Sequence, residues 1–142
     1  MSREHSSSEA QPKVFLEGVF VAGGEPDPDG DSYDTKDGVR HQEFLDHGYI
    51  MSHCGSAKLE DIIGHPVKIE RDGEDLKLTA QITRGDAQAL ALTKADLGFA
   101  LAGVIHKRDN TGRITALEIK SVAIVPANKL TDPRCRCYLM EE

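Results

Sequence analysis

Aromatic side chains are scarce in this sequence: Phe, Trp and Tyr make up 5% of its 142 residues, and tryptophan is absent. The core therefore has to be built from Val, Ile, Leu and Ala, which suit a β-rich fold with small side chains between the strands. A chain of this length can bury roughly two thirds of the surface that its unfolded form exposes. The sequence thus predicts one domain with an aliphatic core.

Long apolar runs and clusters of positive charge are also missing. No stretch approaches the ~18 consecutive apolar residues of a membrane span, and the opening MSREHSSSEAQPK lacks the apolar centre of a signal peptide. The net charge is −7 and the longest basic run is Lys107-Arg108, whereas a nucleic-acid surface needs concentrated positive charge. We expect a cytosolic protein that binds neither membranes nor nucleic acids.

Cysteine is limited to Cys54, Cys135 and Cys137. An odd number without a secretion signal does not predict a disulfide framework, and a Cys-x-Cys pair without a second Cys/His pair is a poor zinc motif. His53 and Cys54 are adjacent, and neighbouring side chains in a strand point to opposite faces, so they do not predict a thiol–imidazole pair. Glycine-rich phosphate loops are absent too. The sequence therefore predicts neither a metal site nor a cofactor.

The pattern along the chain predicts strands joined mostly by hairpins, with two helices between them. The acidic stretch GGEPDPDGDSYDTKDG reads as a loop that does not match a calcium-binding pattern. The expected elements are a strand over 14–23, a helix over 39–48, a strand over YIMSHC, a hairpin of HPVKIER and DLKLTAQI, a helix over 86–96 capped by Asp86, and an antiparallel pair formed by LGFALAGVIHKRD and RITALEIKSVAIVPAN.

This order favours a β-dominated α+β barrel over a doubly wound α/β sheet. Residues 1–12 are polar and Ser-rich, which predicts a disordered tail. The barrel domain is expected over residues 13–128. Residues 129–142 are expected to form a polar, irregular C-terminal tail.

Three segments occur in an order that resembles a known family. They are YIMSHC followed by IIGHPVKIERDGEDLKLTAQI, then LGFALAG, then LEIKSVAIVPAN. Together they resemble the prohead (capsid maturation) serine proteases of tailed phages, and the resemblance covers roughly Val14 to Asn128, which is most of the chain. The resemblance implies a β-barrel surrounded by helices, like that of the herpesvirus assemblins.

The resemblance implies a serine nucleophile activated by a histidine base. His53 corresponds to the base. Ala100 stands where the family has the nucleophilic serine, and a methyl group cannot attack a carbonyl. Both a deliberate replacement of serine and a natural loss are consistent with Ala100. A different registration would place Leu101 at the serine position, which implies a natural loss of activity.

The third member of the site is expected to be Ser121 or Glu118. These two side chains should point to opposite faces of their strand unless a bulge intervenes. Arg108, in the segment after the nucleophile strand, is a candidate for the oxyanion region. His65 and His106 lie near the motifs and are alternative candidates for the base.

The resemblance implies an endopeptidase that cleaves scaffold and capsid delta segments, and itself, inside the procapsid in the host bacterial cytoplasm. Its partners would be the phage scaffold and the major capsid protein, and a homo-oligomer remains open. With Ala100 this form is expected to be inactive. The rival interpretations are a non-catalytic capsid-assembly module with the same fold, and a small β-barrel binding domain with accidental motif matches.

Overall fold

The computed structural model describes residues 13–140. It contains 48% strand and 16% helix, so the chain is β-dominated as predicted. The strands are β1 Val14–Val21, β2 Val39–Arg40, β3 Ile50–Met51, β4 Ile62–Asp72, β5 Asp75–Ile82, β6 Leu97–Arg108, β7 Ile114–Pro126 and β8 Arg136–Leu139. The helices are α1 Gln42–His47 and α2 Gly85–Leu92, with single 3₁₀ turns at Leu59–Asp61 and Ala127–Lys129.

Seven of the strands close into a barrel in the order β7-β3-β4-β5-β1-β8-β6, and β6 pairs again with β7. Closure removes the unpaired edges that an open sheet would expose. β2 lies outside this ring, parallel to the first half of β7, while β3 runs parallel to the second half. The predicted barrel is confirmed, and the helices that accompany it in the described residues are few and short.

The barrel interior is filled by alternate residues of the strands. β1 shows this period of two, with Val14, Leu16 and Phe20 buried. The other fully buried side chains are mostly aliphatic, which agrees with the predicted core, although Phe99 of β6 also lies inside. At ~25 cal/mol per Å² of buried apolar area, this interior supplies the main stabilisation of the fold.

The β4–β5 hairpin confirms the clearest local prediction. Its ladder ends at Asp72 opposite Asp75, which leaves Gly73 and Glu74 as the turn. Gly73 has φ +64°, the left-handed conformation that the first position of such a two-residue turn requires. The turn chemistry therefore sets the register of both strands.

Several local predictions need correction. β3 ends at Met51, so His53 and Cys54 lie in a turn and not in a strand. Residues 39–40 form β2 instead of the first turn of a helix. Arg84, not Asp86, occupies the N-cap position of α2, because the helix begins at Gly85. Asp86 lies in the first turn, where its carboxylate accepts hydrogen bonds from Arg84 Nε and the Ala87 amide.

The predicted irregular tail after residue 128 is wrong, because β8 lies in it. β8 pairs with β1 on one side and with Leu97 and Gly98 of β6 on the other, so the expected domain boundary omits the strand that completes the barrel. Cys135 and Cys137 are buried there, and burial raises the pKa of both thiols to about 12. The predicted disordered tail, residues 1–12, lies outside the described residues.

No helix within residues 13–140 is long and apolar enough to cross a membrane.

Gly18→Ala should weaken the closure of the barrel. A Cβ on Gly18 would lie 2.1 Å from the Arg136 carbonyl oxygen, so β8 would have to move away from β1. We expect the free energy of unfolding, measured by urea denaturation, to fall by about 1–3 kcal/mol. Gly85→Ala is the control because its Cβ would meet nothing within 4 Å. Equal unfolding free energies for both variants would show that the contact with β8 is not tight.

Candidate active site

YIMSHC, LGFALAG and LEIKSVAIVPAN, one stretch from each motif segment, supply the neighbouring strands β3, β6 and β7 of the barrel. Met51 of β3 lies opposite Ala123 of β7, and Ala123 lies opposite Ala100 of β6. β3 and β6 are therefore separated by β7 alone, which places them roughly 10 Å apart. Segments far apart in the sequence thus meet on one surface.

Ala100 lies on the outer face of β6. Its neighbours Phe99 and Leu101 pack into the core, so Ala100 and Ala102 point the other way. Ser121 lies opposite Ala102 on β7 and shares this face. Small side chains leave the surface open at this point, and Ala100 lines a cavity of about 430 Å³.

The loop of residues 52–61 lies against this surface. Cys54 lines the same cavity as Ala100, and its Sγ lies 3.8 Å from the Leu101 carbonyl oxygen. His53 directly precedes Cys54, and its side chain is 76% exposed. The structure therefore brings the residue next to His53 into contact with the residue next to Ala100.

Among residues 13–140, the His53 imidazole has a hydrogen-bond partner and a carboxylate neighbour, and both lie at Nδ1. Ser52 Oγ lies 2.9 Å away and Asp61 Oδ1 lies 3.9 Å away. The other oxygen of Asp61 accepts a hydrogen bond of 2.6 Å from Ser56 Oγ. This hydrogen bond is the main cause that holds the pKa of Asp61 below its ordinary value, and the nearby cationic groups add to it.

Asp61 was not among the residues expected from the sequence. No motif contains it, and no strand or helix period links it to His53. The link is a backbone hydrogen bond of 2.8 Å from the Ser52 amide to the Asp61 carbonyl, which closes the 52–61 loop.

β7 contains a bulge at Lys120 that changes the expected orientation of its side chains. Ala102 lies opposite Ser121, but Gly103 lies opposite Ile119, which leaves Lys120 as the extra residue. Ile119 and Val122 are both buried in the core although they are three residues apart. Glu118 and Ser121 consequently point to the same outer face. The sequence alone predicted opposite faces unless a bulge lay between them, and the bulge at Lys120 is that case.

Glu118 is nevertheless not placed beside His53. It lies opposite Val104, about 13 Å along the strand from Ala100. Its carboxylate contacts His106 Nε2 at 2.9 Å and Lys120 Nζ at 3.0 Å. These contacts, that with His106 first, lower the pKa of Glu118. The Ser121 position, about 7 Å along the strand from that of Ala100, is closer.

His106 and Glu118 border a second cleft, of about 560 Å³, between α1 and the outer part of β6 and β7. His41 lies in the same cleft, and its Nδ1 is buried without a hydrogen-bond partner in the described part of the chain. Burial lowers the pKa of His41. His106 thus has a carboxylate partner but lies six residues along β6 from Ala100.

The remaining candidates lie away from Ala100. Arg108 is eight residues further along β6, and its Nη1 is bound to Asp31 Oδ1 at 3.0 Å and to the Gly112 carbonyl at 2.9 Å. It stabilises the loop beside the cavity and does not point a free donor at Ala100. His65 is exposed on β4, which β3 and β7 separate from β6.

Within residues 13–140, no group of three or more His, Cys, Asp or Glu side chains is arranged to hold a metal ion. Comparison with known proteins adds no relative: no family model matches the chain, and neither a curated protein nor a solved structure does.

Glu118→Gln should remove a pH-dependent contribution to stability. The pKa of Glu118 is lower in the folded state than its ordinary value of 4.5, so its contribution is complete above 4.5 and is lost as the pH falls through the folded-state pKa. The difference in free energy of unfolding between the unchanged protein and Glu118→Gln should therefore shrink as the pH falls from 6 through the folded-state pKa of Glu118.

The measurement is urea unfolding across that pH range, with Glu43→Gln as the control. Glu43 lines the same cleft, but within the described residues it makes no hydrogen bond or ion pair with His106, whose carboxylate partner is Glu118. A pH-independent difference for Glu118→Gln would contradict the ion pair.

Proposed function

We propose that this chain is a serine-type prohead maturation protease domain with an assemblin-like barrel, whose nucleophile position holds Ala100. One observation carries the proposal. YIMSHC, LGFALAG and LEIKSVAIVPAN supply the neighbouring strands β3, β6 and β7, and the loop with His53 contacts β6 beside Ala100. β6 and β7 are consecutive strands of a hairpin, so the support comes from the loop after β3, which is distant in sequence and reaches the same surface.

With serine at position 100, the chemistry would proceed by acyl transfer. His53 Nε2 takes the hydroxyl proton as Oγ attacks the peptide carbonyl, and the proton then passes to the leaving amine. Water attacks the resulting ester, gives a proton to His53, and releases the carboxylic acid as the serine takes the proton back. Ala100 has no lone pair to begin this sequence, so this chain is proposed to be inactive as it stands.

The substrate would bind as an extended strand. β6 pairs with β8 only at Leu97 and Gly98, so within the described residues its edge beyond Phe99 has no strand partner on that side. An extended peptide can add to such an edge through backbone hydrogen bonds. The proposed substrates are scaffold and capsid delta segments and the chain itself, inside the procapsid in the host bacterial cytoplasm.

The second candidate is a capsid-assembly module that keeps the barrel without catalysis. Ala100 itself favours it, since the face that would hold the nucleophile presents a methyl group. Arg108, the candidate for the oxyanion region, is also bound to Asp31. In this case the open edge of β6 would hold scaffold or capsid segments without cutting them.

Restoring serine tests the proposal. Ala100→Ser should gain reaction with a fluorophosphonate probe, which phosphonylates a serine activated by a neighbouring base, and should gain self-cleavage seen by mass spectrometry. Adding His53→Ala should reduce labelling of Ala100→Ser by about 10²–10⁴-fold, the usual contribution of a general base.

Ala102→Ser is the matched control. It places a hydroxyl on the same outer face of the same strand, two residues from the proposed position. Equal labelling of both serine variants would show that a serine at position 100 is not selectively activated, which would contradict its assignment as the nucleophile position. A folded Ala100→Ser that neither reacts nor cleaves a capsid scaffold would favour the assembly module.

A further inference from the structure

The surroundings of the His53 ring are asymmetric. Ser52 Oγ and Asp61 Oδ1 both lie on the side of Nδ1. Nε2 makes no hydrogen bond or ion pair within residues 13–140. A ring held in this way has one nitrogen engaged and the other available for chemistry, which is the arrangement that a general base needs.

We propose that Asp61 is the positioning residue of the His53 base, an inference that rests on the proposed function. Asp61 would hold the proton on Nδ1, so that Nε2 carries the lone pair that a general base needs. When Nε2 accepts the serine proton, the ring becomes a cation, and the neighbouring carboxylate balances its charge. Asp61 itself neither gains nor loses a proton.

The backbone fixes Asp61 before any substrate binds. Its carbonyl oxygen accepts a hydrogen bond from the Ser52 amide at 2.8 Å, and its amide donates to the Lys58 carbonyl at 3.0 Å. Ser56 holds the carboxylate at 2.6 Å, and the side chain is only 20% exposed. Because this carboxylate is already fixed, it can orient the exposed His53 ring without losing further conformational freedom of its own.

Asp61 is also ionised when the reaction would need it. The Ser56 hydrogen bond and the nearby His53, Lys58 and Arg84 lower its pKa, so it remains an anion at neutral pH. The distance of 3.9 Å from Asp61 Oδ1 to Nδ1 is longer than a hydrogen bond, so the two groups would have to approach by about 1 Å, as catalytic contacts do in many enzymes once the substrate binds. Glu118 cannot take this role while it is bound to His106 and Lys120.

The other tautomer of the His53 ring would contradict this role. If the Ser52 hydroxyl donates to Nδ1, the ring carries its proton on Nε2 and cannot act as a base there. Nitrogen-15 NMR of the neutral His53 ring distinguishes the two tautomers in the chain as it is. We expect the Nδ1–H form to dominate, and Asp61→Asn to shift the ring towards the Nε2–H form.

Glu60→Gln is the matched control for the NMR measurement, because Glu60 precedes Asp61 in the same 3₁₀ turn and its side chain is exposed. It should leave the tautomer unchanged. A dominant Nε2–H form in the native chain, or the same tautomer in Asp61→Asn and Glu60→Gln, would overturn the proposal. Urea unfolding of each variant checks that the loop has not simply unfolded.

The rate of fluorophosphonate labelling is the second test of the role of Asp61. In the Ala100→Ser chain, Asp61→Asn should lower the rate of fluorophosphonate labelling by about tenfold or more, and Asp61→Glu should recover part of it. Unchanged labelling would overturn the positioning role. A tautomer shift with no labelling of any Ala100→Ser variant would contradict the proposed protease and would limit Asp61 to orienting the ring.

Discussion

Backbone pairing on both sides of β7 is the constraint on which the rest of the structure depends. β7 bonds to β6 along one edge and to β2 and β3 along the other, so it closes the barrel and fixes the distance between β3 and β6. Hydrogen bonds of a ladder are obligatory in a closed sheet, because an unpaired buried amide or carbonyl is costly. Main-chain pairing therefore sets the geometry of the surface around Ala100.

The bulge at Lys120 divides the outer face of β6 and β7 into two regions. On one side lie Ala100 and Ser121, with small side chains and the 52–61 loop. On the other side, His106 and Glu118 form a paired imidazole and carboxylate in the larger cleft. The imidazole–carboxylate contact of His106 and Glu118, at 2.9 Å, is shorter than that of His53 and Asp61, at 3.9 Å. The loop that carries His53 is distinguished by its contact with β6, where Cys54 Sγ lies 3.8 Å from the Leu101 carbonyl oxygen.

Local patterns explain which elements could be predicted. The β4–β5 hairpin follows from alternating side chains and a glycine turn, and β6 with β7 follows from the same rule, because their partners are close in sequence. β8 could not be predicted in this way. Its four residues, RCYL, carry little pattern, and the strand exists because β1 and β6 offer it free hydrogen-bonding edges. The bulge and the early end of β3 are likewise decided by closure of the barrel.

The sequence by itself determined the β-dominated class, the aliphatic core, the two hairpins and the placement of Ala100 on a strand. These depend on residue type and short-range periodicity, which are properties of short stretches of the sequence. Only the tertiary structure decided that His53 stands in a loop, that Glu118 belongs to His106, and that Asp61 faces the His53 ring. These contacts follow from the backbone hydrogen bond that closes the 52–61 loop and from the bulged register of β6 and β7, which leave no period in the sequence.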